Sequence, residues 1–280
     1  MQIELQEALS LEKIMDSGQC FRACRLDQYE AAGGIPLYRF ITGENVLYAR
    51  QLGRSTLGLS CTEAEWEEVW TPYFDLGESY SALCRETDAG DAYLQASIVY
   101  GEGIRVLRQD RFEVLISFLL SQRKSIPAIR TSVERLCEGF GRRKQTEYGS
   151  VALFPDAARI AEMSDGELRD CGLGYRAAYV RDAAERVLSG ALPLSELDAL
   201  SDQELYEALC TVRGVGRKVA NCVMLFAYHR VERVPEDVWV NRIVEKRYQG
   251  RNPFPAYRKA GLLQQYMFYY AIQHKTEMNG

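Results

Sequence analysis

Histidine is scarce. Two imidazoles, His229 and His274, in 280 residues leave a His-based metal centre or catalytic triad short of parts. Eight cysteines are present but scattered. Cys20 and Cys24 form a C-x-x-x-C pair with no second Cys or His pair at zinc spacing, and no four-cysteine cluster follows the last one, Cys222. Neither zinc nor an iron–sulfur cluster is expected, and the thiols read as reduced rather than as a disulfide framework. No run approaches the ~20 apolar residues of a membrane span. The opening MQIELQEALSLEKIMDSGQCF lacks the basic start and apolar stretch of a secretory signal, so the protein is expected inside the cell and away from membranes. Positive charge is also in deficit. Lys and Arg number 34 against 39 acids, for a net charge of -5. That balance argues against a non-specific nucleic-acid coat, but the charges are segregated. Residues 61–91 carry nine acids and one base, Arg85, whereas 205–248 carry eight bases and five acids. A DNA-facing surface in the C-terminal half is therefore permitted.

With 47% hydrophobic and 26% charged residues, the composition is that of a globular protein large enough for two or three cores. Residues 1–60 read as β-rich, with short apolar runs such as Leu37–Ile41 and Val46–Ala49 split by Gly and Asn. Thr62-Glu-Ala-Glu65 is a capping-box pattern ahead of Trp66, Val69 and Trp70. From about residue 92 the pattern is helical: Arg111–Leu120, Ile126–Phe140, Pro155–Met163, Asp165–Cys171, Tyr175–Leu188, a segment opened by the Ser201-Asp-Gln-Glu204 box and running to Val212, Arg217–Tyr228, Asp237–Tyr248, and a last helix opening at Pro255. The expected fold class is α+β. A small N-terminal antiparallel β-sheet domain with flanking helices (1–105) packs on a mostly α-helical body (106–280) that contains a helix–hairpin–helix.

The segment Leu205–Cys222 carries the most information. A helix ends at Gly214-Val215-Gly216 and a second helix starts at once. Glycine serves where the backbone takes positive φ or must approach a partner closely. The turn's amides and the new helix N-terminus make a cradle for a phosphate. A bare G-x-G is more often only a tight corner, but flanking helices and Lys218 directly after the turn favour DNA binding. Lys218 lies in the first helical turn, where the positive end of the helix dipole favours the neutral, nucleophilic amine. The bland alternative is a surface lysine near a phosphate. Nineteen residues on, Val234-Pro-Glu-Asp237-Val-Trp places Asp237 as a helix N-cap. A capping carboxylate beside a sugar can also stabilise the positive charge that grows as a glycosidic bond breaks.

Gly214-Val-Gly-Arg-Lys-Val-Ala-Asn-Cys222 with Val234-Pro-Glu-Asp-Val238 resembles the helix–hairpin–helix and catalytic aspartate of the 8-oxoguanine DNA glycosylases with AP-lyase activity. Further segments resemble that family in the same order: Gly18–Arg22, Leu120–Ile126, Val133–Gly141, Gly172–Ala177 and Ala260–Phe268. The likeness thus runs through nearly the whole chain, and its lysine-bearing hairpin is specific to the lyase-competent branch. It implies a base-excision-repair enzyme that flips 8-oxoguanine out of duplex DNA, with Lys218 as nucleophile and Asp237 as its partner. The Gly18 carbonyl would read N7–H of the damaged base, Cys222 and Phe268 would sandwich it, and Gln264 would bond its Watson–Crick edge. Arg123 would fill the gap, and Tyr175 and Arg176 would wedge into the duplex and meet the orphaned base. Gly214, Val215 and Gly216 would hold phosphate. No cofactor is required, although the carbonyls of Cys210, Val212 and Val215 could hold a structural monovalent or calcium ion. A monomer in the bacterial cytoplasm, at the nucleoid, is implied.

The chain departs from eukaryotic members at Gln122-Arg-Lys-Ser125, where they carry an Asn-rich loop, at Ala128, where they place an opposite-base-reading arginine, and at Trp239, where they place a histidine. These departures suggest a compact bacterial-type member with a weaker demand for cytosine opposite the lesion. Three other readings compete. A monofunctional alkylated-purine (3-methyladenine type) glycosylase shares the architecture and the aspartate but lacks the lysine. A non-catalytic helix–hairpin–helix DNA-binding protein would not need Asp237. A lysine Schiff-base enzyme on small carbonyl compounds would more often sit on a (β/α)8 barrel, whose alternation is missing here.

Overall fold

The computed structural model describes residues 1–31 and 33–279. Two compact units emerge, one from residues 1–40, 46–108 and 229–280, the other from 41–45 and 109–228. Where the sequence pattern suggests a single boundary near 105, everything after Tyr228 groups with the N-terminal residues.

The first unit is built around a five-stranded sheet of β1 (Gln2–Glu4), β2 (Cys24–Ala31), β3 (Ile35–Thr42), β4 (Asn45–Gln51) and β5 (Thr56–Leu59), in the order β1-β5-β4-β3-β2. The β1/β5, β5/β4 and β3/β2 pairs are antiparallel. Phe40, Leu47 and Leu57 from the strands meet Leu11, Ile14, Trp70 and Phe74 in one fully buried cluster. Phe40 and Phe74 pack edge to face with centroids 5.2 Å apart, and the Trp70 ring lies tilted against Phe74. The Thr62 cap is half of the expected box. Thr62 Oγ1 accepts the Glu65 amide at 3.2 Å, but the Glu65 carboxylate accepts from the Trp70 indole at 3.0 Å instead. The following turn, Trp66–Trp70, widens to a π-helix with both indoles buried. Helices Ala92–Tyr100 and Val238–Tyr248 both pack against Ala260–Gln273. The last is buried from Ala260 through Met267 on all faces, as an all-round apolar helix should be. It starts at Ala260 rather than Pro255, because Phe254–Ala256 closes only a 3-10 turn and Lys259 takes a left-handed φ of +51°.

In the second unit, Asp110 caps helix Arg111–Leu120 through the Glu113 amide at 2.8 Å, and residues 114–120 are buried. Helix Ile126–Phe140 buries Ile129, Val133 and Leu136 at the expected spacing. Helices Ala157–Glu162 and Arg111–Leu120 both pack on Ala177–Leu188. A two-stranded hairpin, β6 (Arg143–Thr146) and β7 (Gly149–Ala152), interrupts what the pattern suggests is wholly helical. Its strands are four residues long and read RKQT, wholly polar, and GSVA, too short for an alternation to show. Among the described residues no helix is long and apolar enough to cross a membrane.

Candidate active site

The hairpin forms as its local chemistry dictates. Ser201 and Glu204 complete a reciprocal capping box that opens helix Asp202–Cys210, and the Val215 amide closes the turn on the Val212 carbonyl at 3.0 Å. The two glycines do different work. Gly214 takes φ +85°, and a Cβ there would lie 2.4 Å from the Tyr179 ring, so both backbone and packing demand glycine. Gly216 has an ordinary extended φ of −113°, and a Cβ there would meet nothing within 4 Å. What Gly216 contributes is an N-cap without a side chain. No side chain caps helix Arg217–Phe226, and its cap and first residue, Gly216 and Arg217, are exposed. Asp182 braces the turn, accepting the Arg213 amide at 2.8 Å and the Arg186 guanidinium at 2.9 Å.

Lys218 is half-buried in that first turn. Its Nζ lies 3.2 Å from Ser121 Oγ and 5.1 Å from the centroid of the Phe118 ring. Cys222, one turn on, is buried at 2% exposure. Val215 is also buried, whereas Cys210, which ends the preceding helix, is half-buried.

Residues 121–124 tie this half-site together, and sequence gives no sign of most of these bonds. Gln122 Nε2 donates to the Gly214 carbonyl at 3.1 Å. Lys124 Nζ donates to Ser132 Oγ at 2.5 Å and to the Gly172 carbonyl at 2.7 Å. Burial, then the neighbouring Arg176 and Arg135 guanidinium groups, hold the Lys124 ammonium below the usual lysine range. Between them Arg123 is exposed with a left-handed φ of +53°, consistent with a side chain offered to a partner. Tyr175 is 53% exposed. Arg176 departs from the sequence expectation. Its side chain is buried, its Nε donates to the Gln122 carbonyl at 2.9 Å, a second nitrogen bonds the same oxygen, and its guanidinium lies 4.4 Å from the Tyr175 ring. In this structure Arg176 ties the 173–176 segment to the loop at Gln122.

The remaining predicted residues lie in the first unit. Asp237 caps helix Val238–Tyr248, its Oδ1 accepting the Trp239 and Val240 amides at 2.9 Å each. Gly18 takes φ +76° and is held from both sides. Gln265 Nε2 donates to the Ser17 carbonyl at 2.6 Å, and Gln19 Nε2 donates to Ser17 Oγ and the Arg105 carbonyl, both at 2.8 Å. Gln19 Oε1 in turn accepts the Leu107 amide at 2.7 Å. Gln265 and Gln19 are positioning residues that no local pattern reveals. Gln264, beside the satisfied Gln265, is 3% exposed, and its Oε1 has no hydrogen-bond partner in the structure. An unpaired buried acceptor costs about 1–3 kcal/mol, a cost that a donor on a bound base would remove. Phe268 is half-buried in a helix whose neighbouring Met267 and Tyr269 are buried.

Comparison with known proteins now bears on these features. Residues 2–115 match the family model of the 8-oxoguanine DNA glycosylase N-terminal domain, and residues 116–261 match that of the HhH-GPD superfamily base excision DNA repair proteins. The solved 8-oxoguanine glycosylase/lyase of Clostridium acetobutylicum, bound to double-stranded DNA with cytosine opposite 8-oxoG, is 31% identical with a TM-score of 0.87, over 98% of each chain. The chain belongs to the 8-oxoguanine glycosylase family. A structure of MBOgg1 with a low-affinity DNA ligand is 32% identical with a TM-score of 0.90, over 98% of this chain and 96% of that one. A probable N-glycosylase/DNA lyase of Methanothermobacter thermautotrophicus is 27% identical over 66% of this chain, which spans 64% of that relative's length.

Proposed function

We propose that the protein is a bifunctional DNA glycosylase that flips 8-oxoguanine out of duplex DNA, excises it, and nicks the strand by β-elimination. The observation that carries this reading is the Lys218 amine, held in the first turn of a helix that no side chain caps. The uncapped terminus and the Gly214–Gly216 turn would take a phosphate of the lesion strand, bringing the sugar to the amine. The amine then forms a bond to C1′ as the glycosidic bond breaks, its electron pair leaving with the base, which takes up a proton. Asp237, ionised at its helix terminus, stabilises the positive charge developing on the sugar. After ring opening, the lysine amine and C1′ share a Schiff base. Loss of a C2′ proton from this adduct expels the 3′ phosphate, and hydrolysis of the imine returns the enzyme.

Gly18, held in its positive-φ conformation, Gln264, with its unpaired Oε1, and Phe268 would be the base-reading residues of the first unit, and Cys222 that of the second. Arg123 and Tyr175 act on the duplex around the vacated position. The carbonyls of Cys210, Val212 and Val215 are all oxygen donors, which suits a hard monovalent or calcium ion. Val212 already accepts one amide, but a carbonyl oxygen has a second lone pair, so the set fits an ion that would join the hairpin to a phosphate. No cofactor enters the chemistry. The protein would work as a monomer on chromosomal DNA, at the bacterial nucleoid.

A panel of duplexes tests the lesion assignment. Base release is expected from 8-oxoguanine and not from 3-methyladenine or other alkylated purines. Release of alkylated purines without strand nicking would replace this reading with that of a monofunctional alkylation-repair glycosylase.

A further inference from the structure

We infer that Ser121 is a positioning residue for the reaction, its hydroxyl fixing the direction in which the Lys218 amine presents its lone pair. The inference rests on Lys218 being the nucleophile. Ser121 ends helix Arg111–Leu120, but its backbone does the capping, its amide bonding the Ser117 carbonyl at 3.0 Å. The side chain is therefore available for something else. Its hydroxyl donates to the Phe118 carbonyl at 2.8 Å, which commits its only proton. Towards Lys218 Nζ, at 3.2 Å, the oxygen can only accept. One N–H of the amine must point at Ser121, and the lone pair must lie in one of the other directions around nitrogen.

The anchor is itself held. Ser121 is 9% exposed, and the next residue, Gln122, is bonded to the Gly214 carbonyl of the hairpin that carries Lys218. The flank of the amine is closed by the Phe118 ring, which stacks on Phe226 with centroids 5.5 Å apart and planes 11° from parallel. Phe226 ends the helix that carries Lys218 in its first turn, so ring and amine keep their register. A free amine would turn among three staggered orientations. This one is held in those with a hydrogen on Ser121, which removes non-productive orientations before the sugar arrives.

Borohydride trapping on two duplexes, one with 8-oxoguanine and one with a preformed abasic site, tests the inference under single-turnover conditions at saturating enzyme. Ser121→Ala is expected to slow adduct formation on both by about 10- to 100-fold, the scale set by misorientation of a reacting group. Duplex affinity should stay unchanged. Ser121→Thr, which keeps the hydroxyl, should trap at close to the wild-type rate. Wild-type trapping by Ser121→Ala would overturn the inference, as would equal slowing by Ala and Thr, which would mark a packing effect. Lys218→Gln run alongside separates the two levels of the account. An adduct from that variant would remove Lys218 as nucleophile, whereas its loss with Ser121→Ala unaffected would remove only Ser121.

Discussion

Two helix N-termini in this protein solve the same electrostatic problem in opposite ways. Each leaves first-turn amides without partners inside the helix. Helix Val238–Tyr248 settles its own, with Asp237 Oδ1 taking two of them. Helix Arg217–Phe226 has Gly216 at its cap and no side chain to bond them. The capped terminus carries a carboxylate bonded to its own amides, and the uncapped one has no side-chain acceptor. The proposed reaction, which binds an anionic backbone and passes through a cationic sugar, would draw on both kinds of terminus. The difference between the two caps is one residue.

Exchanging these features should break the contrast in measurable steps. The largest effect is expected from Asp237→Asn. Asparagine caps about as well as aspartate, so the melting temperature should hold while the single-turnover excision rate falls on the order of 10²- to 10³-fold, the size of a lost transition-state electrostatic contact. Parallel losses of rate and stability would instead make Asp237 a cap only. Gly214→Ala comes next. Strain at φ +85° costs about 1–3 kcal/mol before the collision with Tyr179 is counted, and chemical denaturation should show a loss at least that large, with weakened duplex binding. An unchanged unfolding midpoint would mean that the turn tolerates a side chain. Gly216→Asp places a self-capping carboxylate where the phosphate should sit. Stability should rise by a few tenths of a kcal/mol while duplex affinity drops about tenfold, or 1.4 kcal/mol. Undiminished affinity would show that the uncapped terminus holds no phosphate.

The smallest effect concerns acid stability of the first unit. Asp75 is buried, accepting from Arg108 Nε at 3.0 Å and from Tyr80 at 3.0 Å, with His229 Nε2 at 3.2 Å. Burial alone would raise its pKa, but the His229 imidazole and then Arg108 outweigh burial and hold it below 3.8. A depressed carboxylate adds stability that is complete above the unfolded value and drains as pH falls through the folded one. Asp75→Asn should therefore flatten the fall in melting temperature below pH 3.8. An unaltered acid limb would mean that other groups set it.

Much of the hairpin and of the helical pattern is legible in sequence because it is local. Capping residues, glycines at a turn and a periodic apolar face act within a few positions of themselves, and Ser201, Asp237 and Gly214 all behave as their neighbours dictate. What is not legible depends on residues far apart in the chain. Gln265 meets Ser17, and Gln122 meets both Gly214 and Arg176. Arg176 illustrates the loss. An arginine beside an exposed tyrosine reads as a second DNA contact, and only the distant Gln122 carbonyl explains why it turns inward. The β6/β7 hairpin escapes for a different reason, because strands of four residues, one of them wholly polar, carry no readable period.

Covalent trapping tests the central claim most directly. Wild type and Lys218→Gln would each be incubated with borohydride and a duplex bearing one 8-oxoguanine, and adducts resolved by mass. A wild-type adduct of one protein per strand, absent from Lys218→Gln although that variant still binds the duplex, is the predicted result. An adduct that survives the substitution, or base release by wild type with no adduct at all, would contradict the assignment of Lys218 as the nucleophile.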